Sequence, residues 1–333
     1  MKRDLATILG NQPESTALFC GAVHPLKEAL VCPACRNCID FDDDCLFCEK
    51  CRIRYYRNVH GYFEFVADSR IYQVDSTTEE YAHEQESCGE RICNEYLKPF
   101  FELEPFRRIL DAGCGMGRGI VQLAEDGYEA YGIDLPNLSR LWAAAGNDPR
   151  RFFACDSTRM PFPDGYFDIV YSTGVIEHIG TRDGNSTLME DYWEARQRYA
   201  DEILRVTRRG GRILIACPNK SFPIDIQHGP QDDTSPKVSK VRVKIFNHSG
   251  VNIHRTWGKY HLLSYNEVKR LFCGEGGGRA FEPLPLRGYF GFGRFKSGYL
   301  KPIAGLTEYY INHLPKPLRP TCLNPYMLAQ IRR

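Results

Sequence analysis

Residues 109–119, which read I-L-D-A-G-C-G-M-G-R-G, constrain the fold more than any other part of the chain. The segment begins as a short apolar strand and continues into alternate glycines at 113, 115 and 117. An amphipathic stretch follows and ends near Gly127. A strand, a glycine turn and a helix in this order allow a ligand to lie against bare backbone. The segment therefore predicts a nucleotide-sized site at the edge of an open α/β sheet.

Two acidic residues and one arginine narrow the choice of nucleotide. A dinucleotide fingerprint would need a third glycine at position 118, where this chain has Arg118. Asp111 ends the strand, where its carboxylate would repel a pyrophosphate but suits an ammonium or sulfonium group. S-adenosylmethionine carries both of these cations. Asp134 ends the next apolar segment and is placed to accept hydrogen bonds from both ribose hydroxyls.

Further blocks follow in order at residues 155–170, 175–179 and 203–212. Together with the glycine turn and Asp134, they resemble the class I S-adenosylmethionine-dependent methyltransferases over roughly residues 105–220. The resemblance implies an α/β fold with a Rossmann-like seven-stranded methyltransferase sheet. It also implies that Met160 or Phe162 flanks the adenine ring. The cofactor-binding residues that it implies, together with those predicted above, are Asp111, Gly113, Gly115, Gly117, Asp134, Leu135, Asp156, Ser157 and Thr173.

The composition is that of an ordinary globular protein. The 333 residues carry a net charge of +1, with 43% hydrophobic and 26% charged residues, so no overall field selects nucleic acid or membrane as a partner. No apolar segment approaches the roughly 20 residues that span a bilayer. The first residues, Met1-Lys2-Arg3-Asp4, do not read as a signal peptide. We therefore expect a cytoplasmic protein.

A cysteine cluster near the N-terminus predicts a structural zinc ion. Cys32 with Cys35, and Cys48 with Cys51, form two C-x-x-C pairs separated by twelve residues. Two such pairs complete a tetrahedral shell of four thiolates. Cys38 and Cys45 offer a competing register. This ribbon resembles the small zinc ribbons found ahead of some bacterial methyltransferase domains, and its role as a folding staple or as a substrate contact stays open.

The sequence divides into four parts. We predict an N-terminal arm at 1–31, the zinc ribbon at 32–66, and a linker with a cofactor-covering helix at 67–104, in which Tyr72 or Tyr81 lines the pocket or packs in the core. The methyltransferase domain follows at 105–333. It contains a polar insertion after the fifth strand, at about 219–262, where a long connection lies over the methyl-donor site and would act as a substrate lid.

Histidines mark the candidate catalytic positions. His178 follows a strand that ends at the ligand-binding edge, and it is either a general base or a positioning residue. His228 and Asp225 lie in the insertion and complete the candidate catalytic set, and His254 and Tyr260 are further candidate substrate contacts.

These features predict methyl transfer to a small molecule, with the hydroxyl group of a sugar, lipid or secondary metabolite favoured as acceptor. The first alternative is an rRNA or tRNA base methyltransferase that recognises RNA with the ribbon, since Arg52, Arg54 and Arg57 alternate with or flank aromatic residues. The second alternative is a non-catalytic zinc-ribbon partner of another enzyme.

Overall fold

A computed structural model shows how the chain folds. It describes residues 26–42, 45–66, 89–101, 105–182, 184, 186–225, 227–230, 236–276, 278–286, 306 and 309–333. Tyr72, Tyr81 and the rest of residues 67–88 lie outside these residues, as do residues 1–25 of the predicted N-terminal arm. In the part of the chain that is described, no helix has the length and apolar character needed to cross a membrane.

A seven-stranded sheet forms the centre of the molecule, with strand order β11-β12-β8-β7-β4-β5-β6. Neighbours from β8 to β6 run parallel, whereas β12 is antiparallel to both β8 and β11. This mixed seven-stranded sheet matches the predicted Rossmann-like methyltransferase fold. The strands are β4 (Arg108–Ala112), β5 (Glu129–Asp134), β6 (Phe152–Ala154), β7 (Phe167–Thr173), β8 (Thr207–Pro218), β11 (Phe281–Pro283) and β12 (Tyr326–Arg332).

Helices cover both faces of this sheet. Successive strand residues point to opposite sides, and here the residues on both sides are apolar, so both faces have to be buried. Leu110 packs in one apolar cluster with residues of α4 and α6, while Ile109 packs in the other with residues of α1, α2 and α3. The helices are α1 (residues 89–101, with a π-helical turn at Cys93–Leu97), α2 (Arg118–Glu125), α3 (Ser139–Ala145), α4 (Tyr192–Val206), α5 (Pro236–Ser249) and α6 (Tyr265–Cys273).

The ribbon forms a small antiparallel sheet of its own, from β1 (Asp40–Asp42), β2 (Cys45–Cys48) and β3 (Ile53–Tyr56). Residues 52–57 and residues 61–65 both alternate basic or polar with aromatic side chains, as two paired strands would, yet they are not paired along their length. β3 pairs with β2, and a single bridge joins Arg57 to Phe63. The reason is that residues 63–65 have another partner.

Residues 63–65 extend the large sheet at its β6 edge. The Phe65 amide donates to the Ala154 carbonyl at 2.8 Å, and the Ala154 amide donates to the Phe63 carbonyl at 3.0 Å. Phe63 and Phe65 are buried in the same apolar cluster as Phe153. The ribbon is thus packed onto the seven-stranded sheet and shares its core.

The insertion (residues 219–262) leaves the sheet and returns to the same place. Asn219 and Leu263 form a parallel bridge, and the Lys220 amide donates to the Leu263 carbonyl at 3.0 Å. Between these points the insertion contains the strand pair β9 (Ile224–Asp225) and β10 (Asn252–Ile253) and the helix α5. Its action as a lid remains a prediction.

Candidate functional site

The predicted glycine turn follows β4 and requires glycine for two reasons. Gly113, Gly115 and Gly117 have φ of 104°, 52° and 77°, a region that side chains disfavour. A Cβ on Gly113 would lie 2.2 Å from the Val175 side chain, and one on Gly117 would lie 2.1 Å from the Phe152 ring. The turn therefore packs closely against the residues that follow β7 and against β6.

Asp134 at the end of β5 holds this turn in place. Its two carboxylate oxygens accept hydrogen bonds from the backbone amides of Gly115 at 2.7 Å and of Leu135 at 2.8 Å. Each carboxylate oxygen can accept a further hydrogen bond. Asp134 can therefore fix the turn and still receive the ribose hydroxyls of a nucleoside.

Asp111 is a buried acid without a full set of partners. Its side chain is buried, and Oδ1 has no hydrogen-bond partner among the described residues. Burial raises the pKa of Asp111 to about 8, the Tyr171 hydroxyl partly offsets this effect, and the charge of Asp134 adds to it. A buried carboxyl of this kind needs either a proton or a cation. The turn, Asp134 and Asp111 thus fit a cationic nucleoside such as S-adenosylmethionine.

The remaining predicted cofactor residues lie at the same edge of the sheet, with the exception of two predicted adenine contacts. Asp156 and Ser157 follow β6, where the Cys155 amide donates to the Asp134 carbonyl at 2.9 Å, and Thr173 ends β7. Asp156 Oδ1 accepts from the Thr158 amide at 2.8 Å. Met160 and Phe162, however, are core residues, fully buried on the face that carries α4, so the prediction that they flank adenine is wrong.

The structure brings the three candidate catalytic residues together. The rings of His178 and His228 meet edge to face with centroids 5.1 Å apart. Asp225 accepts from His228 through contacts of 3.1 Å between Nδ1 and each carboxylate oxygen. Although burial opposes its ionisation, His228 and His261 hold the pKa of Asp225 well below its usual range. Because Val175 touches Gly113, this group lies just beyond the glycine turn.

Two further residues complete what we call the histidine cluster: Glu177, His178, Asp225, His228 and His261. The His261 ring packs against His228 at 4.9 Å, and its Nε2 lies 3.5 Å from Asp225 Oδ2. Glu177 is fully buried, and burial raises its pKa to about 7, partly offset by His228. The sequence analysis did not identify Glu177 or His261 as site residues. No spacing in the sequence connects His261 to His228.

Arg196 holds together the backbone segments that carry this cluster. Its guanidinium donates to the backbone carbonyls of Glu177 and Ile179, each at 3.1 Å, and to that of His261. Burial lowers the pKa of Arg196 to about 10, although the charge of Glu177 opposes this shift. A signal for Arg196 was present in the sequence, because it interrupts the apolar face of α4 between Trp193 and Tyr199.

His254 and Tyr260 lie next to the cluster rather than in it. Their rings stack with centroids 4.8 Å apart, and the Tyr260 ring lies 4.4 Å from that of His261. The His254 Nδ1 contacts the Arg255 carbonyl at 2.9 Å. Both residues are buried and therefore contribute to the packing inside the insertion.

The four predicted metal ligands of the ribbon converge. The sulfur atoms of Cys32, Cys35, Cys48 and Cys51 lie within 4.8 Å of one another, with Cys35 to Cys48 at 3.5 Å and Cys32 to Cys51 at 4.0 Å. Zinc bound by four thiolates at about 2.3 Å requires sulfurs about 3.8 Å apart. The competing register is not formed, since Cys38 is exposed and Cys45 accepts from Arg54. The geometry fits zinc.

The central part of the chain is similar to known proteins. Residues 110–215 match a family described as "Methyltransferase domain". The chain is 32% identical to demethylmenaquinone methyltransferase of Beutenbergia cavernae over 115 residues. This aligned stretch covers 34% of this chain and 41% of that protein. It is 25% identical over 169 residues to a probable S-adenosylmethionine-dependent methyltransferase of Mycolicibacterium smegmatis, covering 49% of this chain and 58% of that protein.

A third relative is the probable chloroplastic tocopherol O-methyltransferase of Oryza sativa subsp. japonica. The chain is 33% identical to it over 119 residues, which cover 33% of this chain and 28% of that protein. The matches thus span between 28% and 58% of the length of these three relatives. The family match, the named relatives and the sheet topology together support a class I S-adenosylmethionine-dependent methyltransferase domain.

Proposed function

We propose that the chain is an S-adenosylmethionine-dependent methyltransferase that methylates an oxygen atom of a small molecule. The observation that carries this proposal is the buried Asp111 carboxyl with its unpartnered Oδ1, beside a glycine turn held by Asp134. The domain match at residues 110–215 and the relatives' names support the same activity. A hydroxyl acceptor is favoured by the histidine cluster and by the O-methyltransferase among the relatives.

Asp111, Asp134 and the three glycines would hold the cofactor, with Asp156, Ser157 and Thr173 at the same edge. When bound, S-adenosylmethionine supplies a methyl group that its sulfonium charge already activates. The residues of this chain then have to bind, align and exclude water. Alignment of two reactants supplies about 7–11 kcal/mol, whereas a general base adds roughly 10²–10⁴-fold.

We place the acceptor beside the histidine cluster, because His178 follows Val175, which packs against Gly113. Asp225 orients His228 through Nδ1, which makes His228 the candidate acceptor of the hydroxyl proton, with His178 against it. The insertion supplies Asp225, His228 and His261, and we propose that it covers the acceptor as a lid. The four cysteines would bind one structural zinc ion that keeps the ribbon folded against the β6 edge.

An RNA acceptor is not favoured by the ribbon. The guanidinium of Arg54 lies 4.7 Å above the Phe47 ring, and that of Arg57 lies 4.0 Å above the Phe63 ring. These arginines stack on aromatic rings within the ribbon. The ring faces that RNA bases would need for stacking are therefore already covered by guanidinium groups.

The full-length protein should be incubated with a methyl-labelled donor and extracts of hydroxylated small molecules, followed by mass spectrometry of the products. Asp134→Ala removes charge-assisted hydrogen bonds to two hydroxyls, worth about 1.5–3 kcal/mol each, so cofactor affinity should fall about 100-fold or more. Asp201→Asn, an exposed acid on α4, is the control. Tight cofactor binding without turnover on any extract would instead support the non-catalytic alternative.

A further inference from the structure

The histidine cluster contains two overlapping groups of potential metal ligands. Ligand atoms of Glu177, His178 and His228 all lie within 4.8 Å of one another, and those of Asp225, His228 and His261 do the same. The residues come from three places: the turn after β7, the start of the insertion, and its end. The chain therefore gathers imidazole and carboxylate groups from distant segments at one point.

Glu177 is a buried carboxylate of this cluster whose side-chain oxygens lack hydrogen-bond donors among the described residues. It is fully buried, and neither carboxylate oxygen has a hydrogen-bond partner on another described residue. A buried carboxylate without hydrogen-bond donors is costly even near the charges of His228 and Arg196, so such a group takes up a proton or binds a cation. Its position beside two imidazoles favours a cation, since neutral imidazole is a common metal ligand.

Asp225 and His228 show the arrangement that metal-binding histidines use. Asp225 accepts from His228 Nδ1 at 3.1 Å, which assigns the proton to Nδ1 and leaves the lone pair on Nε2. Asp225 is already satisfied, because Oδ1 also accepts from the amides of Gln227 and His228, each at 3.0 Å. Asp225 therefore fits the role of an outer residue that orients a ligand, whereas Glu177 fits that of a ligand.

We propose that Glu177, His178 and His228 bind one divalent transition-metal ion, with Asp225 and His261 orienting His228. Two imidazoles and one carboxylate suit zinc, iron or manganese and leave further positions for an oxygen ligand. The site is separate from the four cysteines of the ribbon. Its assignment does not depend on the proposed function. The two roles of His228 exclude each other: it is a ligand when the cation is bound, and it can accept a proton only when the cation is absent.

The test is a titration of the full-length protein, loaded with zinc at the ribbon, with Co²⁺ as the probe. We expect one further equivalent of metal by mass spectrometry, with visible d–d bands but without the thiolate charge-transfer band that cobalt at the cysteines would give. Glu177→Gln and His178→Gln should each abolish these bands. Asp225→Asn should weaken the affinity for Co²⁺ about 10- to 100-fold, as loss of an outer residue does.

His254→Gln is the matched control, because His254 is a buried histidine of the same insertion but belongs to neither ligand group. It should bind Co²⁺ as the wild-type protein does. The proposal is overturned if the wild-type protein takes up no metal beyond the ribbon, or if Glu177→Gln binds Co²⁺ unchanged. Binding of S-adenosylhomocysteine, measured in the same samples, tests the proposed function separately from the metal site.

Discussion

The buried carboxyl of Asp111 gives the sharpest test of why this turn should bind a cationic nucleoside. Its pKa is raised to about 8 in the cofactor-free protein, chiefly by burial. Below pH 8 most molecules carry a protonated Asp111, which has no charge to attract a sulfonium or ammonium group. Binding of the cation then requires loss of this proton, so the affinity should rise as the pH rises towards 8.

The magnitude follows from linkage. If the bound cation keeps Asp111 ionised, the apparent Kd scales as 1 + 10^(pKa − pH), and each unit of pH well below the pKa costs about 1.4 kcal/mol. Between pH 8 and pH 6 the Kd for S-adenosylmethionine should therefore increase about 50-fold. Proton release, measured by calorimetry in buffers of different ionisation enthalpy, should approach one proton for each ligand bound at pH 6.

Asp111→Asn is the control, since it keeps the shape of the side chain and removes the titration. The ligand's own amino group titrates near pH 7.7–8.0, and the variant shows that contribution alone. Identical pH profiles for the wild-type protein and the variant would refute the reasoning. S-adenosylhomocysteine extends the test: a slope for both ligands indicates the ammonium group as the partner, and a slope for S-adenosylmethionine alone indicates the sulfonium.

Three further predictions concern stability. Cys51→Ser should abolish zinc binding and lower the melting temperature, because metal binding supplies folding energy in small ribbons, whereas Cys38→Ser should change neither zinc content nor melting. Glu202→Gln should lower the free energy of unfolding in urea by about 3–5 kcal/mol, since Glu202 is the buried partner of Arg205, while Arg36→Ala removes only the half-exposed end of the network and should cost below about 1 kcal/mol. Ser264→Ala breaks the capping box of α6 and should lower the free energy of unfolding by about 1 kcal/mol in the same assay. An unchanged free energy of unfolding would show that the cap does not stabilise the helix.

The sequence predicted the geometry of the glycine turn and the position of Asp134 well because both depend on local features. The glycine turn follows its strand directly, and Asp134 ends the next strand, so chain order alone places them at one edge of a parallel sheet. The four cysteines were predictable for a similar reason, since each C-x-x-C pair directs two thiolates to one point. In both cases the functional geometry depends on a few neighbouring residues.

The remaining features depend on contacts between distant segments. Met160 lies in a turn, where no strand period decides which way a side chain points, and its amide is held by Glu202 of α4. His261 reaches Asp225 only because the insertion returns to its starting point at Leu263. The docking of residues 63–65 on β6 likewise follows from the whole sheet and from no local motif.

That docking has a consequence for any shortened form of this protein. A chain that began at residue 105 would leave β6 with open backbone donors and acceptors, next to apolar side chains that Phe63 and Phe65 now cover. Open, apolar strand edges pair with other chains and aggregate. We therefore expect the fragment 105–333, expressed alone, to be poorly soluble even if its glycine turn is intact.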